Sequence, residues 1–115
     1  MSLENISIAR DNTIRTSQLK LANIARLIVN QKVNKAVEQL KFSNKRVSQN
    51  VLKVLNSAIA NAENNKQLDI DNLYVKEAYV GKSLSMKRFR PRAKGRAASI
   101  LKAFSKLTII LEERI

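Results

Sequence analysis

Apolar residues recur at two periods along this chain, and the change of period divides it. From Ser17 onward, Leu21, Ile24, Ala25 and Ile28 fall three and four apart, the spacing of one face of an α-helix. Ser17 precedes the run as a candidate N-cap, because its hydroxyl can accept a hydrogen bond from an amide of the first turn. The pattern weakens at Asn30 and Gln31. A short second helix is predicted from Asn34 to Leu40, with Val33, Val37 and Leu40 on one side, and "KFSN" breaks it. Val47, Val51, Val54, Leu55, Ala58, Ile59 and Ala62 then form a long stripe. That stripe predicts a third helix from Lys45 to Glu63, capped by Ser43 or Asn44 and ended at Asn64 and Asn65. It would be roughly 28 Å long. Stripes of Leu, Ile, Val and Ala at helical spacing are core faces.

Beyond "NNKQLDIDN" the period becomes two. "LYVKEAYV", residues 73 to 80, is β-branched and aromatic, and "LTIIL", residues 107 to 111, alternates Leu107, Ile109 and Leu111 against Thr108 and Ile110. Both read as strands. The intervening residues, about 80 to 106, have little core-forming pattern. A structureless loop that long does not belong inside a compact domain unless it has a task. A protruding two-stranded arm resolves the conflict, since ten extended residues reach about 33 Å. The 115 residues therefore read as one α+β domain with a projecting arm. The first dozen residues carry no pattern that assigns an element.

Charge changes the picture most. The chain has 22 Lys and Arg against 9 Asp and Glu, a formal +13. Residues 78 to 111 hold nine cations and no acid, so about two thirds of the excess comes from under a third of the chain. Such an excess speaks of partners, and the usual partner is a nucleic acid. The chain contains no Cys and no His. The commonest general base and the best side-chain nucleophile are thus missing, and no enzyme is expected. Asp69 and Asp71 form a close acid pair. They read as a solvated turn before a strand, because a hard-cation site needs six or more oxygen ligands. No metal site and no cofactor is expected. No stretch is long and apolar enough to span a membrane, and "MSLENISIARDNTIR" has no apolar run of the kind a signal peptide needs.

The candidate chemistry is phosphate recognition. "SMKRFRPRAKGRAAS", residues 85 to 99, holds Lys87, Arg88, Arg90, Arg92, Lys94 and Arg96. Arginine presents a planar fork of donors that fits phosphate oxygens and stacks on bases. Phe89 can stack on an unpaired base or pack at the base of the arm. Pro91 biases Arg90 toward extended backbone, and Gly95 permits a close approach to a partner. Two smaller clusters agree. Arg15 and Lys20 flank the predicted start of the first helix, and Lys45 and Arg46 that of the third. Cations there oppose the helix dipole. Their placement makes sense where a phosphate docks on the helix N-terminus and the cations complete its surroundings.

Together these segments resemble the bacterial type of the large-subunit ribosomal protein twenty-two family. "MKRFRPRAKGRA", Met86 to Ala97, is similar to that family's tunnel-hairpin signature. "RTSQLKL", Arg15 to Leu21, is similar to its Arg-x-Ser-x-x-Lys start of the first helix. "VLNSAIANAENN", Val54 to Asn65, resembles the end of its long helix, and "LTIILEE", Leu107 to Glu113, its closing strand. Where the family usually has Ile-Arg-Gly-Lys after the first helix, this chain reads Ile28-Val29-Asn30-Gln31-Lys32, and Lys106 stands where a His commonly precedes the last strand.

The resemblance implies three helices packed on a small antiparallel sheet of three strands, with a long protruding β-hairpin. It implies a structural component of the large ribosomal subunit that binds several domains of large-subunit rRNA, supports assembly, and lines the nascent-peptide exit tunnel with its hairpin tip. On that reading Arg15, Ser17, Lys20, Lys45, Arg46, Lys82, Lys87, Arg88, Arg90, Arg92, Lys94 and Arg96 bind rRNA. The tip comprises Met86, Lys87, Arg88, Phe89, Arg90, Pro91, Arg92, Ala93, Lys94, Gly95, Arg96 and Ala97. The partners are rRNA, neighbouring large-subunit proteins and the nascent peptide. No membrane and no second copy of the chain is implied, and the place is the large subunit in the cytoplasm. Two rivals fit less well. A small DNA-binding protein would show a recognition helix or a dimer seam. A membrane-active protein would put its densest charge on an amphipathic helix.

Overall fold

The chain forms three helices on one face of a three-stranded antiparallel sheet. A computed structural model describes the backbone of residues 5–91 and 97–114 and the side chains of residues 5–82 and 104–114. The elements are β1 (Ile6–Ile14), α1 (Gln18–Ile28), α2 (Val33–Lys41), α3 (Arg46–Lys66), β2 (Leu73–Pro91) and β3 (Ala97–Glu113). The strand order is β1-β3-β2, so the last strand in sequence is the centre of the sheet.

β3 shows why the fold is built this way. Leu107, Ile109 and Leu111 alternate along it and are completely buried under the helices. β1 pairs with it from Ile6↔Glu112 to Ile14↔Ser105, with a bulge between Asp11 and Ile14. β2 pairs with its other edge from Leu73↔Glu113 onward. The two long strands keep pairing far past the helices, out to Pro91↔Ala97. Nineteen extended residues in β2 span about 60 Å, and the molecule's longest extent is 65 Å. The expected arm is therefore a continuation of the sheet.

The helices cover that sheet with the predicted stripes. α1 buries Leu21, Ile24, Ala25 and Ile28. α2 begins one residue early, at Val33, and buries Ala36 where Val37 was expected; Val37 is only partly buried. α3 buries its stripe except Ile59, which packs at the margin. Ala58 and Ala62 are completely buried. Their small side chains let α3 lie close to the sheet, and the Ser7 hydroxyl donates a 2.8 Å hydrogen bond to the Ala58 carbonyl.

Two boundaries differ from expectation. α3 runs through Asn64 and Asn65 to Lys66 and ends on Gln67 in the left-handed conformation, with φ 55. The Leu68 amide then closes the end by donating to the Ala62 carbonyl at 3.0 Å, a helix stop set by hydrogen bonding and not by glycine or asparagine. The other difference is β1, which the sequence pattern did not reveal. Its alternation is cut short by the Asp11-Asn12-Thr13 segment, where the Asp11 carboxylate accepts hydrogen bonds from the Thr13 amide and hydroxyl.

The α1–α2 connection turns on one left-handed residue, Asn30, with φ 65. Asparagine is among the few side chains that tolerate this left-handed backbone. The turn then pairs with β2: the Asn30 amide donates to the Val75 carbonyl at 2.7 Å, and the Val75 amide to the Gln31 carbonyl at 2.9 Å.

Because Ile109 is fully buried at the centre of the sheet, Ile109→Ala is expected to cost about 2–5 kcal/mol of unfolding free energy. Urea denaturation followed by circular dichroism checks this. A cost below about 1 kcal/mol would mean that β3 is not the heart of the core.

Candidate nucleic-acid interface

Two helix starts meet on one side of the body, and hydroxyl groups hold both in place. Between β1 and α1, the Ser105 hydroxyl, on a residue only 1% exposed, donates a 2.7 Å hydrogen bond to the Thr16 carbonyl. That contact ties the start of α1 to β3. Ser17 caps α1 as expected, accepting from the Lys20 amide at 3.4 Å. At α3 the expected cap is displaced. The N-cap position belongs to Lys45, whose side chain makes no capping bond. Ser43 instead braces the approach. Its hydroxyl oxygen accepts from the Lys45 amide at 3.3 Å and from the buried Ser48 hydroxyl at 2.8 Å.

The result is a cleft of about 540 Å³ lined by Thr16, Lys20, Asn23, Ile24, Lys45, Arg46 and Val47. Ile24 and Val47 form its apolar floor, at 2% and 8% exposure. Lys20, Lys45 and Arg46 are exposed, and among the described residues none of the three makes an ion pair. Neither α1 nor α3 has an acid in its first turn. Two helix N-termini thus point partial positive charge toward one concavity that is also rimmed by three cations. The arrangement repels cations and suits a phosphate, which takes charge-assisted hydrogen bonds from the side chains and dipolar support from the helix ends.

The other predicted residues fall in four groups. Arg15 is exposed on the β1–α1 connection but does not line the cleft. Lys82 is exposed on β2 where the ladder leaves the body. Lys87, Arg88 and Arg90, together with Met86, Phe89, Pro91 and Ala97, lie on the paired strands of the arm, with their side chains outside the described residues. Arg92, Ala93, Lys94, Gly95 and Arg96 lie wholly outside them. The Asp69–Asp71 segment is a turn, as read. Asp69 accepts from the Asp71 amide at 3.0 Å and the Asn72 side-chain amide at 3.2 Å, closing a 3₁₀ turn that leads into β2.

Sequence reasoning missed Thr16 and Asn23 in the cleft and the bracing serines Ser48 and Ser105; it placed Ser43 at the start of α3, but as the cap. Asn23 had a signal, since it lies three residues after Lys20 on the same side of α1. Ser105 had none, because its partner is 89 residues away.

Comparison with known proteins places these features. The profile of the ribosomal protein L22p/L17e family matches residues 9–112. The large ribosomal subunit protein uL22 of Pelagibacter ubique is 58% identical over 103 residues, covering 90% of this chain and 78% of that protein. Its counterpart in Maricaulis maris is 57% identical over 110 residues, covering 96% and 87%. That of Cereibacter sphaeroides is 56% identical over 110 residues with the same coverage. The matched span takes in all three helices and β3, both sides of the cationic cleft, and the whole arm. The chain belongs to the ribosomal protein L22p/L17e family, a family of structural ribosomal proteins and not of enzymes.

Proposed function

We propose that the protein is an rRNA-binding component of the bacterial large ribosomal subunit in the cytoplasm, with a body that docks on the RNA surface and an arm that runs into it. The observation that carries this is the acid-free run of residues 78 to 111. Six of its nine cations, Lys82, Lys87, Arg88, Arg90, Lys102 and Lys106, stand on one extended β-ladder. In water such a run repels itself; among phosphates it is neutralised, and the counterions released drive binding. In this reading Arg15, Ser17, Lys20, Lys45 and Arg46 anchor the body, Lys82 marks where RNA begins along the arm, and Lys87, Arg88, Arg90, Arg92, Lys94 and Arg96 neutralise phosphates beyond it. Family resemblance adds that Met86 to Ala97 line the exit tunnel, facing the nascent peptide, and that neighbouring large-subunit proteins complete the surroundings. The chain acts there as one domain and as a single copy.

Three outcomes are expected. In a salt series, affinity for a large-subunit rRNA fragment falls steeply with salt but keeps its preference over duplex DNA of equal length at high salt. Each neutralised phosphate contributes a slope of roughly −0.7 to −0.9 in log K against log salt. A steep slope with no preference would make the charge generic and favour a DNA-binding protein. Second, Lys20→Ala with Lys45→Ala and Arg46→Ala reduces rRNA affinity and the salt slope. Thermal stability stays equal or rises slightly, since cations are removed from first turns where they oppose the dipole. A loss of several kcal/mol in stability would show that these residues serve the fold. Third, deleting Lys87 to Arg96 leaves cooperative thermal unfolding of the body intact, because the buried cluster among the described residues is already built from the three helices and the body segments of the three strands.

A further inference from the structure

Among the described residues no helix or further strand covers the face of the sheet turned away from the helices, and its side chains form an ordered set. The register places Tyr79 opposite Thr108, and Thr108 opposite Arg10. In the next row, Glu77 stands opposite Ile110 and Ile110 opposite Ile8. In the row beyond, Tyr74 stands opposite Glu112. Tyr79 is 53% exposed and Ile8 42%. On the other side of Tyr79, Gly81 stands opposite Lys106, and a side chain at Gly81 would meet nothing within 4 Å. The Tyr79 ring therefore stands beside a bare stretch of strand.

The charges on this face decide what can cover it. Both of its acids are engaged. The Glu77 carboxylate accepts the Tyr79 hydroxyl proton in a hydrogen bond. That bond, chiefly, raises the Tyr79 pKa and keeps the phenol neutral. Glu112 pairs with Arg114 at 3.8 Å, and Arg114 also lies 4.9 Å from the centre of the Tyr74 ring. Arg10 and Lys106 are exposed and, among the described residues, have no ion-pair partner. Strand spacing puts Arg10 about 10 Å across the sheet from Tyr79, and Lys106 roughly 8 Å away, one strand over and two residues along. An aromatic face flanked by Arg10 and Lys106, where three cations (Arg10, Lys106, Arg114) outnumber two carboxylates (Glu77, Glu112), complements a flat ring carrying phosphates on either side.

We propose that this outer sheet face, centred on Tyr79 with Arg10 and Lys106 beside it, is a stacking platform for an unpaired nucleotide of the bound RNA. The inference rests on the rRNA-binding reading and adds to it a base-contacting surface, separate from the phosphate-binding cleft and from the arm. Sheet aromatics stack unpaired bases, and Arg or Lys at the edges takes the flanking phosphates. β2 and β3 stay paired from this face into the arm, with a register shift between Lys82 and Ser85, so RNA following the arm reaches Tyr79 next. The Glu77 bond fixes the ring in advance, which lowers the ordering cost of binding.

The test uses the full chain, whose only tyrosines are Tyr74 and Tyr79. Ring-labelled tyrosine is followed by NMR during titration with a single-stranded octa-adenylate and with an abasic octamer of equal charge, the Tyr79 signals being assigned from Tyr74→Phe. The proposal expects upfield ring-proton shifts at Tyr79 with the adenylate and not with the abasic strand. It expects Tyr79→Ala to weaken octa-adenylate binding roughly 5- to 100-fold, while Tyr79→Phe, which keeps the aromatic face and loses only the Glu77 bond, weakens it much less. Unmoved Tyr79 signals under saturating octa-adenylate would overturn it and leave the face to a protein neighbour. Equal loss in Tyr79→Ala for adenylate and abasic strands would also overturn it, by making the effect electrostatic. In both cases a steep, rRNA-preferring salt series would still stand, so the platform can fail without the rRNA reading failing. Absence of any rRNA preference in the wild type would remove both.

Discussion

One strand has to satisfy two opposed environments, and the rest of the structure follows from how it does so. In its last third β3 is the most buried element of the molecule, with Leu107, Ile109 and Leu111 sealed beneath the helices and both edges paired. In its first half it belongs to an acid-free cationic run that no protein core of this size could neutralise. Burying charges without partners costs several kcal/mol each. The chain separates the two demands in space by letting β2 and β3 leave the helical layer together. Pairing supplies the backbone hydrogen bonds on the way out.

The same separation governs the body. Lys20, Lys45 and Arg46 sit where a helix start disfavours them, and the structure does not relieve the conflict internally. No acid occupies either first turn, and the hydroxyls that could have capped α3 are used to position its approach. Local choices that oppose the fold yet persist at one spot are the usual mark of a functional site. Here the marks converge. Two helix N-termini, three cations and an apolar floor share one cleft, held by the Ser105–Thr16 and Ser43–Ser48 contacts.

What could be read in advance divides along the range of the interactions. α1, α3 and the buried alternation of β3 were legible because each is set by residues within a few positions of one another. α2 was legible in place but not in face, since Val37 is the stronger apolar residue and only packing decides that Ala36 goes inward. β1 was not legible. Its nine residues become a strand by pairing with residues about a hundred positions later, and Asp11-Asn12-Thr13 disguises its alternation. The candidate site behaved in the same way. Lys20, Lys45 and Arg46 could each be singled out from helix-start chemistry. That they face one cleft depends on bonds spanning 89 residues in one case and on the α1–α3 packing in the other.

The outer sheet face completes this logic. A three-stranded sheet with helices on one side only must leave its other side to water or to a partner, and a solvated face is ordinarily dominated by polar residues. This one carries Ile8, Ile110, Tyr74 and Tyr79. Its two acids are held by Tyr79 and Arg114, and Gly81 leaves a gap beside the ring. The face is net positive where β2 and β3 turn into the arm because Arg10, Lys106 and Arg114 outnumber Glu77 and Glu112. The charge that forces the arm off the core and the charge that remains on the sheet then act on the same partner, with Tyr79 at the junction of the two.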